Sequence, residues 1–373
     1  MSFKTYLFHN GDYNKRSPIA FKECMALKAE ELAWIFHVEA PYNRKNTGIY
    51  LMTDALRKNV KAECIPRHFN FTEKADSVVT NILHRIGSTL EIDFAYWDRI
   101  LQYVDKIIPL SLGFAFDKNG EIAQLSNDLV NFLKILSERA EIGVRGEYDA
   151  DALNKCGIRN VRVIGCPSLH YHMDRDFKIL KSVDPIKKIH INFSTDFGNL
   201  GISQKDFLRQ HMPFMWYFLD IFDKNSYELD FSLQKPPFTE ASDIGTILLS
   251  YGEVQRLFEG CGKYFFSVKD WIKGISGNDF SIGTRFHGNI AAILAGVPTL
   301  MINIDKRMKE LNSYYKIPSI DINEFDPSKP IEYYYELADY SEFNKNFALT
   351  HDNYVDYCHK NSVELKCKND VKR

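Results

Sequence analysis

The sequence predicts an α/β protein built as two units. Three observations carry that reading: apolar strand-like runs alternate with helical patterns, the alternation restarts after Pro185, and 373 residues exceed what a single core usually serves. In the first half, strand-like "LAWIFHVEA" and "KIIPLSLGFAF" alternate with helical "YLMTDALRKNV" and "LSNDLVNFLKILSERA". In the second half, "IKKIHINFS" reads as a strand, "IGTILLSYGEVQRLFEGC" as a helix, and "YFFSVKDWIKGI" as strand then helix. "DFSIGT" follows as a strand and "NIAAILAG" as its helix. This β-then-α rhythm belongs to mostly parallel sheets with helices on their faces. The expected units are 1–180, 185–345, and a C-terminal helix and tail, 346–373, packing back on the first. The junction "DFKILKSVDPIKK" is polar, charged and contains Pro185, as an interdomain linker is. "QKPPFTEASD" reads as a loop, because consecutive prolines exclude helix and central strand.

Composition narrows the function classes. With 45% hydrophobic and 26% charged residues the chain reads as soluble and globular. A net charge of −2 leaves no general footprint for nucleic acid or an anionic membrane, so an anion site must be local. The start, "MSFKTYLFHNGDYNKRSP", lacks a basic segment followed by an apolar run, so a cytoplasmic protein is expected. No apolar run approaches the roughly 20 residues of a bilayer span. Seven cysteines without a C-x-x-C pair suggest buried, reduced side chains rather than disulfides or a zinc ribbon. No phosphate-loop, dinucleotide-binding or G-x-S-x-G pattern occurs.

One stretch stands out. "DFSIGTRFHGNIAAILAG" places Arg285, Phe286 and His287 between an apolar strand and an apolar helix. Residues 285–289 therefore form a strand-to-helix turn at the carboxyl end of a parallel strand, the edge where open α/β sheets bind ligands. N–H groups at the helix start favour an anion. Gly288 lets a ligand approach the backbone, and Asn289 beside it is an expected substrate-binding residue. Arg285 supplies a planar, two-pronged donor, and His287 can exchange a proton near neutral pH. Phe286 reads as a packing residue whose N–H faces the ligand. A second motif, "HYHMDR", sets His170, His172 and Asp174 at a spacing that would suit metal ligands on a strand face. Arg175 follows where that pattern has another histidine, so two polar residues on an exposed strand or loop are expected, with no metal.

Three segments together carry a resemblance. "DFSIGTRFHGNIAAILAGVPTLMINIDKRMKELNSYYKIP" resembles the C-terminal signature of the polysaccharide pyruvyl transferase family: an R-x-H-G turn, a small-residue helix, G-x-P, a strand and an Asp. "SERAEIGVRGEYDADALNKCGIRNVRVIGCPSL" is similar to its S-x-R segment with a following helix and strand. "NRKNTGIYLMTDALRK" resembles its N-x-G turn through Asn46 and Gly48. One departure is clear: after "NVRVIG" the family has an acidic Asp-Pro step, whereas this chain has Gly165-Cys166-Pro167.

The resemblance implies two Rossmann-like domains facing a cleft, as in the GT-B fold. It implies transfer of the pyruvyl group of phosphoenolpyruvate onto two hydroxyls of a sugar as a cyclic ketal. That donor carries a phosphate and a carboxylate, so at least two cationic anchors are needed. Arg285 and Arg145 are the expected pair, Arg145 being otherwise a surface arginine near Glu141 and Glu147. Arg307 is a third candidate. Asp305 is read either as orienting a basic group or the acceptor, or as a salt-bridge partner. His287 is the expected acid/base, with Arg285 beside it. Phosphoenolpyruvate and a saccharide acceptor are the expected partners, with no other cofactor. A nucleotide-sugar glycosyltransferase is the runner-up, and a non-catalytic saccharide-binding protein the third reading.

Overall fold

The computed structural model describes residues 4–9, 19–20, 47–66, 69–81, 83, 86, 92–116, 121–122, 124–193, 204–233, 252–265 and 267–366. The expected strand "LAWIFHVEA", the loop "QKPPFTEASD", the first half of the helix "IGTILLSYGEVQRLFEGC" and Asn46 lie outside them.

In chain order the first half holds β1 (Thr5–His9), β2 (Ile19–Ala20), α1 (Thr47–Asn59), β3 (Glu63–Pro66), β4 (Ala75–Thr80), α2 (Phe94–Leu101), β5 (Val104–Pro109), α3 (Asn127–Arg139), β6 (Ile142–Val144), α4 (Glu147–Lys155) and β7 (Val161–Val163). A short 3-10 turn, Pro167–His170, follows. The second half holds β8 (Lys188–Asn192), α5 (Gln204–Lys224), β9 (Glu228–Leu233), α6 (Gly252–Cys261), β10 (Gly262–Tyr264), α7 (Val268–Ile275), β11 (Phe280–Gly283), α8 (Phe286–Leu294), β12 (Thr299–Asn303), α9 (Lys306–Tyr315), β13 (Ser319–Asp321), α10 (Ile331–Leu337) and α11 (Ser341–Lys360).

The architecture is α/β with parallel sheets. Among the described residues one sheet has the order β3-β1-β4-β5, all parallel, and β6 pairs with β7 beside it. A parallel bridge between Leu112 and Val144 joins that pair to the end of β5. The second sheet runs β13-β12-β11-β8-β9-β10-β2 and is parallel except where the two residues of β2 pair with β10. Strands covered by helices on both faces need no polar side. Accordingly β11 and β12 are buried at every position. Helix starts follow local chemistry: Asp93 accepts the Tyr96 N–H, Ser126 the Leu129 N–H, and Ser267 the Asp270 N–H.

Each sheet has its own core. Trp97, Ile107, Phe132 and Leu136 pack with the first, and Phe218, Phe231, Phe258 and Ile302 with the second. Leu51, Met52 and Ala55 of α1 and Cys166 join the second core, although they precede its parallel strands in the chain. The segment after the 3-10 turn is anchored: Ile179 N–H donates to Asn344 Oδ1, and Lys181 Nζ donates to Tyr335 O. α11 then reaches the first sheet, where the Tyr357 hydroxyl accepts the Gly143 N–H at 3.0 Å. Two cysteines depart from expectation, since Cys64 is exposed and Cys156 half-buried; Cys166, Cys261 and Cys358 are buried, and every described cysteine is free.

Candidate functional site

The turn after β11 is built by two asparagines. Asn192, at the end of β8, accepts the Arg285 N–H at 3.0 Å through Oδ1, and its Nδ2 donates to Asn289 Oδ1 at 2.8 Å. Asn289 Nδ2 donates to Gly283 O at 2.8 Å. Gly283 is obligatory, because a Cβ there would stand 2.2 Å from Asn192 O. Asn289 is fully buried and its amide is engaged within the turn; contrary to the expectation of ligand contact, its observed part is to shape the turn. Phe286 is buried with its ring edge-on to His287, and Gly288 is buried behind it. The first intrahelical bond of α8 runs from Asn289 N–H to Arg285 O, so the N–H groups of residues 286–288 lie ahead of it. Arg285 and His287 are half-buried, at the opening of the turn.

His287 is gripped from the first half of the chain. A Cβ on Gly48, in the first turn of α1, would stand 2.8 Å from His287 Nδ1. On the other side, His287 Nε2 lies 3.7 Å from Cys166 Sγ. Cys166 thus occupies the seat where the resemblance expects an acidic residue.

Arg145 is not a surface arginine. It directly follows β6, is 3% exposed, and donates from Nε to Ser111 Oγ at 3.1 Å and from Nη2 to Met52 Sδ at 3.4 Å. Ser111 holds a left-handed backbone, φ 69°, just beyond β5. A non-glycine residue there is strained, and such strain gathers at working sites. Among the described residues no carboxylate lies within ion-pair distance of Arg145. Burial pushes its pKa below the usual guanidinium value; Arg307 adds to the fall, while Cys166, Asp149 and Asp305 oppose it. A buried cation held only by a hydroxyl and a thioether is costly unless an anion joins it.

Asp305 resolves to a helix cap: its Oδ1 accepts the Met308 N–H at 2.7 Å, while Oδ2 accepts from Arg307 Nη2 at 3.2 Å. Both residues stand at the carboxyl end of β12. Asp149 of α4 accepts the Phe114 N–H at 2.8 Å, and burial raises its pKa to about 6. Glu310 of α9 accepts the Tyr148 N–H at the start of α4. Its pKa is raised to about 7, first by burial and then by the Asp149 and Glu147 carboxylates. Gly146 makes this approach possible, since a Cβ would overlap Glu310 Cδ.

The structure therefore brings Gly48, His287 and Cys166 together, and places Cys166, Arg307, Asp149 and Asp305 in the electrostatic neighbourhood of Arg145. Ser111, Met52, Cys166, Asp149 and Glu310 were missed at the level of sequence. Only Cys166 carried a signal, as a departure from the resembled pattern.

The histidine motif is dispersed. His170 is buried in the 3-10 turn, stacked on Tyr354 at 4.4 Å, and burial lowers its pKa to about 3. His172 Nε2 meets Leu294 O at 2.9 Å. The expectation of polar residues on an exposed strand or loop holds for His172, exposed in a turn, and fails for His170, which is buried beneath α11. Among the described residues no three His, Cys, Asp or Glu side chains form a metal-sized cluster, and no helix is long and apolar enough to cross a membrane.

Parallel α/β sheets with Arg285 and His287 in the turn after β11 and a buried Arg145 after β6 define an α/β protein whose candidate site lies beyond strand carboxyl ends. The chain belongs to the polysaccharide pyruvyl transferase family, an enzyme family whose profile matches residues 75–306. No curated protein matches the sequence. Among solved structures, similar chains include an uncharacterised Klebsiella pneumoniae protein at 11% identity, covering 73% of this chain and 85% of that one, TM-score 0.40. Methanocaldococcus jannaschii UDP-GlcNAc 2-epimerase matches at 8% identity, covering 96% and 99%, TM-score 0.43. S. aureus MnaA matches at 12% identity, covering 95% and 96%, TM-score 0.46. All three scores are below 0.5, and no residue role follows from them.

Proposed function

We propose that this protein moves the pyruvyl group of phosphoenolpyruvate onto two hydroxyls of one sugar in a surface or capsular polysaccharide or its precursor, closing a cyclic ketal and releasing phosphate. The observation that carries the reading is Arg145, a buried guanidinium with no carboxylate paired to it among the described residues, beside a second cation, Arg307. A small, doubly anionic donor supplies the missing charge. Arg145 and Arg285 hold its phosphate and carboxylate, Arg307 adds to the field, and the leading N–H groups of α8 receive one anionic end. Gly48 keeps His287 in place. In this division the unit 185–345 binds the donor and the unit 1–180 faces the acceptor, in the cytoplasm.

Chemistry begins with a proton delivered to the donor's methylene carbon, giving an oxocarbenium-like centre at the adjacent carbon. One sugar hydroxyl adds there and loses its proton. Phosphate then leaves, and the second hydroxyl closes the ring and loses its own. His287 is the acid/base for this sequence.

A thermal-shift titration tests the reading, using phosphoenolpyruvate, a nucleoside diphosphate and inorganic phosphate against the wild type and Arg285→Ala. At 100 times its dissociation constant a ligand adds about 2.7 kcal/mol of stability, enough to see. Phosphoenolpyruvate is expected to give a saturable shift that the variant loses. A shift with the nucleoside diphosphate alone overturns the reading in favour of a glycosyltransferase.

A further inference from the structure

Cys166 is held unlike any other described cysteine. Tyr315 fastens its backbone: the hydroxyl accepts the Cys166 N–H at 2.9 Å and lies 3.1 Å from Cys166 O. Gly165 before it takes φ +71°, and a Cβ there would stand 2.2 Å from the same hydroxyl. This clamp, joining a residue of α9 to the end of the first-half strands, fixes where the cysteine side chain points. It points at His287, with Sγ 3.7 Å from Nε2 and 3.0 Å from Ser168 Oγ. The other two buried cysteines do neither. Cys261 donates to Leu257 O within its own helix, and burial pushes both its thiol and that of Cys358 up to about 12.

We propose that Cys166 is the positioning residue of His287, an inference that rests on the pyruvyl-transfer reading for its purpose though not for its geometry. The sulfur holds Nε2 and selects the imidazole tautomer that faces the donor. A thiol suits this seat in two ways. It can donate to a bare Nε2 or accept from a protonated one, whereas a carboxylate only accepts and draws charge onto the ring. Its larger radius also spans a gap that a hydroxyl, needing about 2.7–3.2 Å, would leave open. Gly48 leaves no room for a side chain on the Nδ1 side, and Cys166 lies on the Nε2 side of the ring.

The test is histidine-selective nitrogen-15 labelling with long-range proton–nitrogen spectra of the full chain, the His287 signal being assigned by its loss in His287→Ala. Wild type is expected to show one dominant tautomer. Cys166→Ala should convert it to an averaged pair, Cys166→Ser should fall between, and Cys166→Asp should drive the ring toward the form protonated on Nε2. His190, buried in β8 between Ser281 and Ser232, reports whether each variant keeps the fold. His287 signals unchanged in both Cys166→Ala and Cys166→Ser overturn the proposal. Phosphoenolpyruvate affinity, read by thermal shift, should stay within about threefold in Cys166→Ala, because a positioning residue for the acid/base leaves the anion anchors intact; its collapse would make Cys166 a binding residue and also overturn the assignment. If wild type itself shows no phosphoenolpyruvate shift, the pyruvyl reading fails and takes the donor-facing purpose with it, while the spectra still judge the thiol–imidazole contact.

Discussion

Gly48 stands so close to His287 that a single added carbon would lie 2.8 Å from the imidazole Nδ1 and 2.9 Å from its Cβ. The two residues are far apart in sequence, and the contact joins the first turn of α1 to the first turn of α8. A side chain at position 48 therefore has to move the imidazole.

Gly48→Ala is expected to destabilise the protein by about 1–3 kcal/mol, the cost of overpacking, despite alanine's better helix propensity. Urea denaturation measures it. A variant as stable as wild type would show that the imidazole yields without cost.

Arg145→Met removes a desolvated charge and keeps the side-chain volume. Stability is expected to hold or rise, because burying the unpaired cation is costly, while the phosphoenolpyruvate-dependent thermal shift disappears. A variant that still binds the donor would release Arg145 from the anion role.

Tyr315→Phe leaves the buried Cys166 N–H without its hydroxyl partner. The expected loss is about 1–3 kcal/mol in chemical denaturation, the cost of an unsatisfied buried donor. A loss well below that would mean that the Gly165–Cys166 turn is held by its own backbone.

Glu310 links stability to pH. Its pKa is raised from 4.5 to about 7 in the folded protein, so folding favours the protonated carboxyl. The contribution is full below about pH 4.5 and is lost as pH rises through 7. Glu310→Gln should flatten the stability-versus-pH curve between those limits. Asp149, raised to about 6, adds a slope of the same sign that remains in the variant. Parallel curves for wild type and variant would contradict the assignment.

The expected site residues divide by how local their roles are. Arg285, Phe286, His287 and Gly288 could be placed because a strand, a turn and a helix succeed one another within ten residues, and period alone marks that succession. Asn289 was placed correctly, yet its amide closes the turn through Asn192, which no local pattern indicates. Asp305 looked equally like a binding group and a structural one; the cap to Met308 and the pair with Arg307 are geometry that only α9 reveals. In the histidine motif His172 is exposed as expected, but the burial of His170 was missed because alternation cannot say what covers a segment.

By itself, then, the sequence determined the α/β class, the restart of the rhythm after Pro185, the strand-to-helix turn at Arg285 to His287, and the resemblance that the family match bears out. Tertiary structure alone decided that Arg145 is buried without a carboxylate partner among the described residues, that Gly48 grips His287, and that Cys166 meets the same ring across 121 residues of chain. The physical reason is that hydrophobic periodicity records which face of an element is buried but not what it is buried against. Contacts between distant elements depend on how two sheets bring their carboxyl edges together, and a buried charge or a missing Cβ acquires meaning only from the neighbour that fold supplies.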